Sequence, residues 1–275
     1  LKTYSNKYRI LNKIYQLGLL ESINFSISTS INKRKFKIPI QAGLGLSHLV
    51  NEEPWMTHFL LEFREFFKKK YFLDIGVNIG QTLLKLKSIY PDSKYIGFEP
   101  NPHCLSYLSN LTHSNSISNT TILPVAASDK TSLIELLFDN DSLTDSAAGI
   151  SKFYRKGTKR KINILELDPH LILNLKEKEI GLIKIDVEGS ELEVLKGLKQ
   201  IIENNKPIIF IEILPVYSEE NNERLDRQNE IQKLINAFNY EVFRIDEKNL
   251  ELHLLRAFDV HGDLSLCNYI LKPKK

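Results

Sequence analysis

Four short apolar runs in this chain lead into an acid. YFLD reaches Asp74, YIGFE reaches Glu99, LIKID reaches Asp186 and IIFIE reaches Glu212. Near-continuous apolar runs of this length read as strands buried on both faces. Between them lie segments with helical spacing, Thr82–Lys87, Asn101–Leu111, Ser190–Leu198 and Glu223–Phe238. Such alternation predicts a doubly wound, Rossmann-like α/β sheet with helices on both faces. Ligands of such sheets sit at the carboxyl ends of the strands, near the switch in strand order. Unpaired carboxylates at half-buried strand ends are costly. Four of them at one edge therefore mark a site.

The remaining segments are expected to frame that sheet. Residues 7–22 carry Tyr8, Leu11, Ile14 and Tyr15 at helical spacing, and Gly18 is placed to end the helix. Its apolar face is read as packing on the domain as a cap, with a contact to a membrane surface or a second copy as the alternative. Lys35–Gln41 alternates as a short strand, with Pro39 marking an edge. Glu53–Lys69 reads as one helix, with Pro54 in its first turn and Trp55, Phe59, Leu60, Phe63 and Phe67 inward. The division is an extension over 1–53 and a domain over 54–275. Further strands are expected at Thr121–Val125, Leu133–Phe138, Lys161–Leu165, Tyr240–Ile245 and Leu264–Leu271. Asp139–Ser151 is polar and aperiodic, a loop.

Composition narrows the function classes. An apolar content of 42% over 275 residues is enough for one large core with an appendage. A net charge of +3 is too weak to imply nucleic acid. Cys104 and Cys267 are far apart and fit reduced thiols in a cytoplasmic protein. No apolar run reaches the roughly 18 residues of a membrane helix. The first twenty residues are too polar for a signal peptide.

The turn after the first run, DIGVNIG from Asp74 to Gly80, defines the ligand more closely. Gly76 and Gly80 allow a sharp turn and a close approach. Their G-x-x-x-G spacing is not the dinucleotide fingerprint, and the phosphate-binding Gly-Lys-Ser/Thr pattern is absent. An acid at the strand end disfavours phosphate and suits an ammonium. Glu99, at the end of the second strand, is placed to accept bonds from ribose hydroxyls. Asp129 is a candidate partner for an adenine amine. Together these describe S-adenosylmethionine.

YFLDIGVNIGQT, IGFEPNP, LPVAASD, GLIKIDVEGSELEVLKG and IIFIEI together resemble the FkbM family of class I S-adenosylmethionine-dependent methyltransferases. The likeness covers about residues 70–215. INILELDPHL is similar to a further family element, but Glu166 stands where Thr is usual. The resemblance implies a seven-stranded, mostly parallel sheet with an antiparallel last strand. It implies that Asp74, Gly76, Asn78 and Gly80 line the methionine end, that Glu99 holds the ribose and that Asp129 lies near the adenine. Pro100, Asn101, Ala127, Ser128 and Asp186 complete the expected cofactor site. The implied reaction is O-methylation, most often of a sugar or glycan.

Methyl transfer from a sulfonium needs positioning and a base for the attacking hydroxyl. Asp186 and Glu212 are the first candidates, and Glu188 the third. Lys184 either pairs with one of these carboxylates or faces out. Asp186, Glu188, Glu212 and His261 are ligand types for Mg²⁺ or Mn²⁺, but no metal spacing accompanies them and no metal is predicted. Acceptor choice is expected from parts outside the sheet. Asp139–Ser151 offers hydroxyls and carboxylates to a polyol, and Tyr217 and Ser218 are candidates for the same pocket. Lys156–Lys161 is read first as a solvated charge run, with a contact from it and Tyr154 to an anionic acceptor as the alternative. The competing readings are a polyketide or other small-molecule O-methyltransferase and a non-catalytic nucleoside-binding module. A homo-oligomer is compatible with either.

Overall fold

The acid-ending runs lie side by side in one sheet. Its strands are β1 (Tyr71–Ile75), β2 (Lys94–Phe98), β3 (Thr120–Leu123), β4 (Ile180–Ile185), β5 (Ile208–Glu212), β6 (Tyr240–Asp246), β7 (Glu251–Leu255) and β8 (Asn268–Pro273). The computed structural model describes residues 3–4, 6–20, 23–51, 53–138, 149, 160–172, 175 and 177–274. Strand order is β7-β6-β8-β5-β4-β1-β2-β3. β1 to β5 run parallel, and β8 is antiparallel to both β5 and β6. The expected seven strands are present, and β7 adds an eighth at the edge as a hairpin with β6. The order reverses between β1 and β4, so the switch point lies at their carboxyl ends.

The helices are α1 (Asn6–Gln16), α2 (Pro54–Glu62), α3 (Arg64–Phe67), α4 (Gln81–Ile89), α5 (Pro102–Ser114), α6 (Glu191–Gly197), α7 (Lys199–Asn205) and α8 (Asn222–Ala237). Strand alternation sorts them into two layers. Leu73, Ile75, Ile183 and Ile185 pack among residues of α6, α7 and α8. Phe72 and Leu182 pack among residues of α2, α4 and α5. Asp74 lies two residues beyond Phe72 and Lys184 two beyond Leu182, so both point into this second layer. The β1–β4 register sets them directly opposite each other.

Several boundaries differ from expectation. The single helix over Glu53–Lys69 is broken at Phe63 (φ −93°, ψ 13°) into α2 and α3. On one straight helix the twelve steps from Trp55 to Phe67 would turn the face by roughly 120°. The break lets Trp55, Phe59, Leu60, Phe63 and Phe67 all stay buried. The last strand starts at Asn268, because Leu264–Leu266 form a 3-10 turn capped by Asp263. Asn24–Ile31, not anticipated as a strand, pairs with Arg34–Gln41 through a turn at Asn32 and Lys33, both at positive φ. That is the favoured two-residue hairpin turn. Phe36, Ile38 and Ile40 join the core beside α5.

Leu133–Phe138 and Lys161–Leu165 belong to a separate three-stranded sheet, in which Arg160–Leu167 lies between Ser132–Phe138 and Ala126–Ala127. Of the expected acceptor segments, Tyr154 and most of Asp139–Ser151 and Lys156–Lys161 lie outside the described residues. No helix among the described residues is long and apolar enough to cross a membrane.

Candidate active site

In-register parallel strands bring their last residues to one level. The N–H of Asp186 donates to the Ile75 carbonyl at 3.0 Å, that of Gly76 to Phe98 at 2.9 Å and that of Glu99 to Leu123 at 3.1 Å. Gly76 has φ 89°, and a Cβ there would lie 1.9 Å from the carbonyl oxygen of Asp186. Only glycine lets the turn after β1 cross the end of β4 so closely. A cavity opens on each side of this crossing. The smaller, about 140 Å³, is lined by Phe98, Glu99, Pro100, Ala127, Leu136, Glu188 and Glu212 among others. The larger, about 1180 Å³, includes Glu53, Lys184, Arg244, Lys248 and His253 in its walls. Gly76, Asn78 and Asp186 line both.

Glu99 is bound to backbone at the edge of the smaller cavity. Its Oε2 accepts from the Asn78 N–H at 2.6 Å and its Oε1 from the Asn101 N–H at 2.8 Å. A carboxylate offers about four lone-pair sites, so acceptor capacity remains. Burial pushes its pKa up to about 7, against the two N–H donors, which pull it down. Asn101 also caps α5, accepting from the His103 N–H at 3.0 Å, with Pro102 at the first helical position.

A chain of charged groups runs beneath Gly76. Asp74 is fully buried, and its Oδ2 accepts from the Tyr95 hydroxyl at 2.5 Å. Its Oδ1 lies 3.9 Å from the Lys184 ammonium and has no hydrogen-bond partner among the described residues. Burial raises the Asp74 pKa to about 6. Lys184 Nζ donates to Asp186 Oδ2 at 3.0 Å, so it pairs rather than facing out. Glu212 hydrogen-bonds Asp186 as its proton donor. Burial, then the charges of Asp186 and Glu188, push Glu212 up to about 9. Burial alone would raise Asp186 too, but Lys184 and the bond from Glu212 hold it below the usual carboxylate value. At neutral pH the pair is therefore an ionised Asp186 and a protonated Glu212.

The loop after β4 is pinned from α8. Arg227 makes a bidentate pair with Glu193, at 2.8 and 2.6 Å, and also donates to the Gly189 carbonyl at 3.0 Å. Glu188 in that loop has φ 54°, a left-handed conformation.

The strand ends thus gather Gly76, Asn78, Glu99, Pro100, Ala127, Asp186, Glu188 and Glu212 around the two cavities. Asp74 lies underneath and lines neither. Gly80 starts α4 and also lines neither. Ser128 is buried, and the exposed Asp129 is outside both linings. Glu166 is buried, accepting from the Ser132 hydroxyl at 2.5 Å and facing Lys130 at 3.4 Å, which is a structural role. His261 and Tyr217 line neither cavity. No group of three or more potential metal ligands converges among the described residues. Sequence reasoning missed Glu53, Tyr95, Arg244, Lys248 and His253. Tyr95 carried a signal, because β1 and β2 pair in parallel, but an acid before Pro54 looks like any helix start.

Residues 74–245 match the FkbM methyltransferase domain. Methyltransferase sdnD of Sordaria araneosa is 27% identical over 159 residues, covering 47% of this chain and 61% of the relative. Methyltransferase 1 of Beauveria bassiana is 27% identical over 146 residues, covering 46% and 58%. The match therefore spans less than two thirds of either relative. A crystal structure of methyltransferase FkbM from Methylobacillus flagellatus is 18% identical, with a TM-score of 0.46, over 74% of this chain and 43% of that one.

Proposed function

We propose that this chain, which belongs to the FkbM methyltransferase family, transfers a methyl group from S-adenosylmethionine to a hydroxyl oxygen of a sugar or glycan. The residues of the smaller cavity fit that cofactor. Glu99 keeps acceptor capacity for ribose hydroxyls, Phe98, Ala127 and Leu136 supply apolar wall for a base, and Gly76 and Asn78 lead into the larger cleft. The observation that carries the reading is that Asp186 lines both spaces while held by Lys184 and Glu212.

When bound, the cofactor supplies a methyl group on a sulfonium, a leaving group that needs no protonation. The chain's own residues position and deprotonate the acceptor. A hydroxyl becomes acidic only as its oxygen attacks, so a carboxylate suffices to take the proton. Asp186 is ionised and reaches the larger cleft, which makes it the base. Glu212 keeps its own proton and steadies Asp186. The larger cleft supports a polyol acceptor, because Arg244, Asp246, Glu247, Lys248 and His253 put charged and hydrogen-bonding groups into its wall.

The test is methyl transfer from labelled S-adenosylmethionine to a panel of nucleotide sugars, oligosaccharides and polyketide alcohols. Label on a sugar hydroxyl is the expected result. Label only on polyketide alcohols would move the acceptor class, and S-adenosylmethionine failing to bind at all would sink the reading.

A further inference from the structure

Glu53 lies outside the stretch that matches the family domain, which begins at residue 74. Its backbone is left-handed (φ 48°, ψ 59°) directly before Pro54. A residue with a Cβ takes that conformation at a cost, and a following proline restricts its backbone further. Strain of this kind persists where the surroundings hold it, commonly at ligand sites. Here it places the carboxylate in the wall of the larger cleft, with Gly76, Asn78 and Gln81. Those are residues of the turn after β1 and the first turn of α4.

The carboxylate is fixed on one side and open on the other. Oε2 lies 3.0 Å from the ammonium of Lys85, whose side chain is only 9% exposed, while that of Glu53 is 34% exposed. Oε1 has no hydrogen-bond partner among the described residues. Asp74, the acid that the turn motif offers for an ammonium, is sealed below with Tyr95. Asp186 already holds Lys184 and Glu212. Within the ion-paired cluster of Glu53, Lys85, Asp74, Lys184 and Asp186, the charges also leave room for one cation. Asp74, Asp186 and Glu53 carry three negative charges when ionised, against two positive ones on Lys85 and Lys184.

We infer that Glu53 receives the ammonium group at the amino-acid end of the cofactor, so that a segment outside the family domain completes the cofactor site. This rests on S-adenosylmethionine being the cofactor. Glu53 is then a cofactor-binding residue, and Lys85 positions it.

Calorimetric titration of the full chain with S-adenosylhomocysteine and 5′-methylthioadenosine tests this directly. Both carry adenosine and a thioether, and only the first carries the amino-acid end. Wild type should bind S-adenosylhomocysteine more tightly. Glu53→Gln should weaken that binding about ten- to a hundredfold, the scale of a lost charge-assisted hydrogen bond. It should leave 5′-methylthioadenosine within about twofold, as expected for a residue that ligand does not reach. Retained binding of the second ligand also shows that the variant is folded. Equal weakening of both ligands would mean that Glu53 acts only through the fold, and no weakening of either would remove it from the site. Each result overturns the inference. Wild type binding both ligands equally would overturn it while leaving the cofactor reading in place, and wild type binding neither would end both.

Discussion

The two cavities flanking Gly76 are built in different ways. The smaller one is shaped by backbone, by the turns that close β1, β2 and β4 and by a carboxylate tied to two main-chain N–H groups. The larger one is shaped by side chains from separate segments, namely Glu53, the β6–β7 hairpin and the turn at Leu264–Leu266. A backbone-built cavity constrains residue type and spacing together, because glycine, asparagine and acid must fall at set offsets. A wall of side chains constrains neither. The first kind of site suits a ligand common to a family, and the second, Glu53 apart, can vary with the acceptor. Asp186 belongs to both and is where they meet.

The largest expected effect breaks that junction. Asp186→Asn should lower turnover about 10²- to 10⁴-fold, the range for loss of a general base, with affinity for S-adenosylhomocysteine nearly unchanged. Turnover close to wild type would place the base elsewhere.

Glu212→Gln sharpens the same point through pH. Glu212 carries its proton up to about pH 9, because burial and then the charge of Asp186 oppose its ionisation. Wild-type turnover should fall as pH rises through about 9, where two adjacent carboxylates become charged. Glutamine stays neutral and still donates to Asp186, so the variant should keep its activity at neutral pH and lose the alkaline fall. A pH profile with the fall unchanged would separate it from Glu212.

A smaller effect concerns the smaller cavity alone. Glu99 titrates at about 7 when folded, against an ordinary value of 4.5. The folded chain then keeps a proton that the unfolded chain releases above about pH 4.5, so stability is fully present below that value and is lost as pH rises through about 7. Urea midpoints should decline across this window, and less so in Glu99→Gln. An equal decline in both proteins would assign it to other buried acids, such as Glu191, also raised to about 7 by burial.

The sheet was legible because β1, β4 and β5 are buried on both faces and leave continuous apolar runs. The turn at Gly76 and the cap at Asn101 were legible because backbone geometry restricts which residues fit there. Asn24–Ile31 was overlooked, although Phe25, Ile27 and Ile31 alternate with polar residues as in a half-buried strand. None of its residues is fully buried, so it leaves no continuous apolar run. β7 is likewise half exposed at the sheet edge. The depth of Asp74 was readable in principle. It shares strand parity with Phe72, as Lys184 does with Leu182, and counting by two places acid and lysine in one buried layer. Nothing in the sequence joins Glu53 to this group, because the contact depends on how α2 packs against α4.

One titration tests the division between the cavities most directly, the affinity for S-adenosylhomocysteine of Glu99→Gln beside that of Lys248→Ala. Glu99 lines only the smaller cavity and Lys248 only the larger. The expected result is a loss of about tenfold or more for Glu99→Gln, on the scale of hydrogen bonds to a charged group, with Lys248→Ala unchanged. Equal losses in the two variants, or a loss confined to Lys248→Ala, would contradict the account.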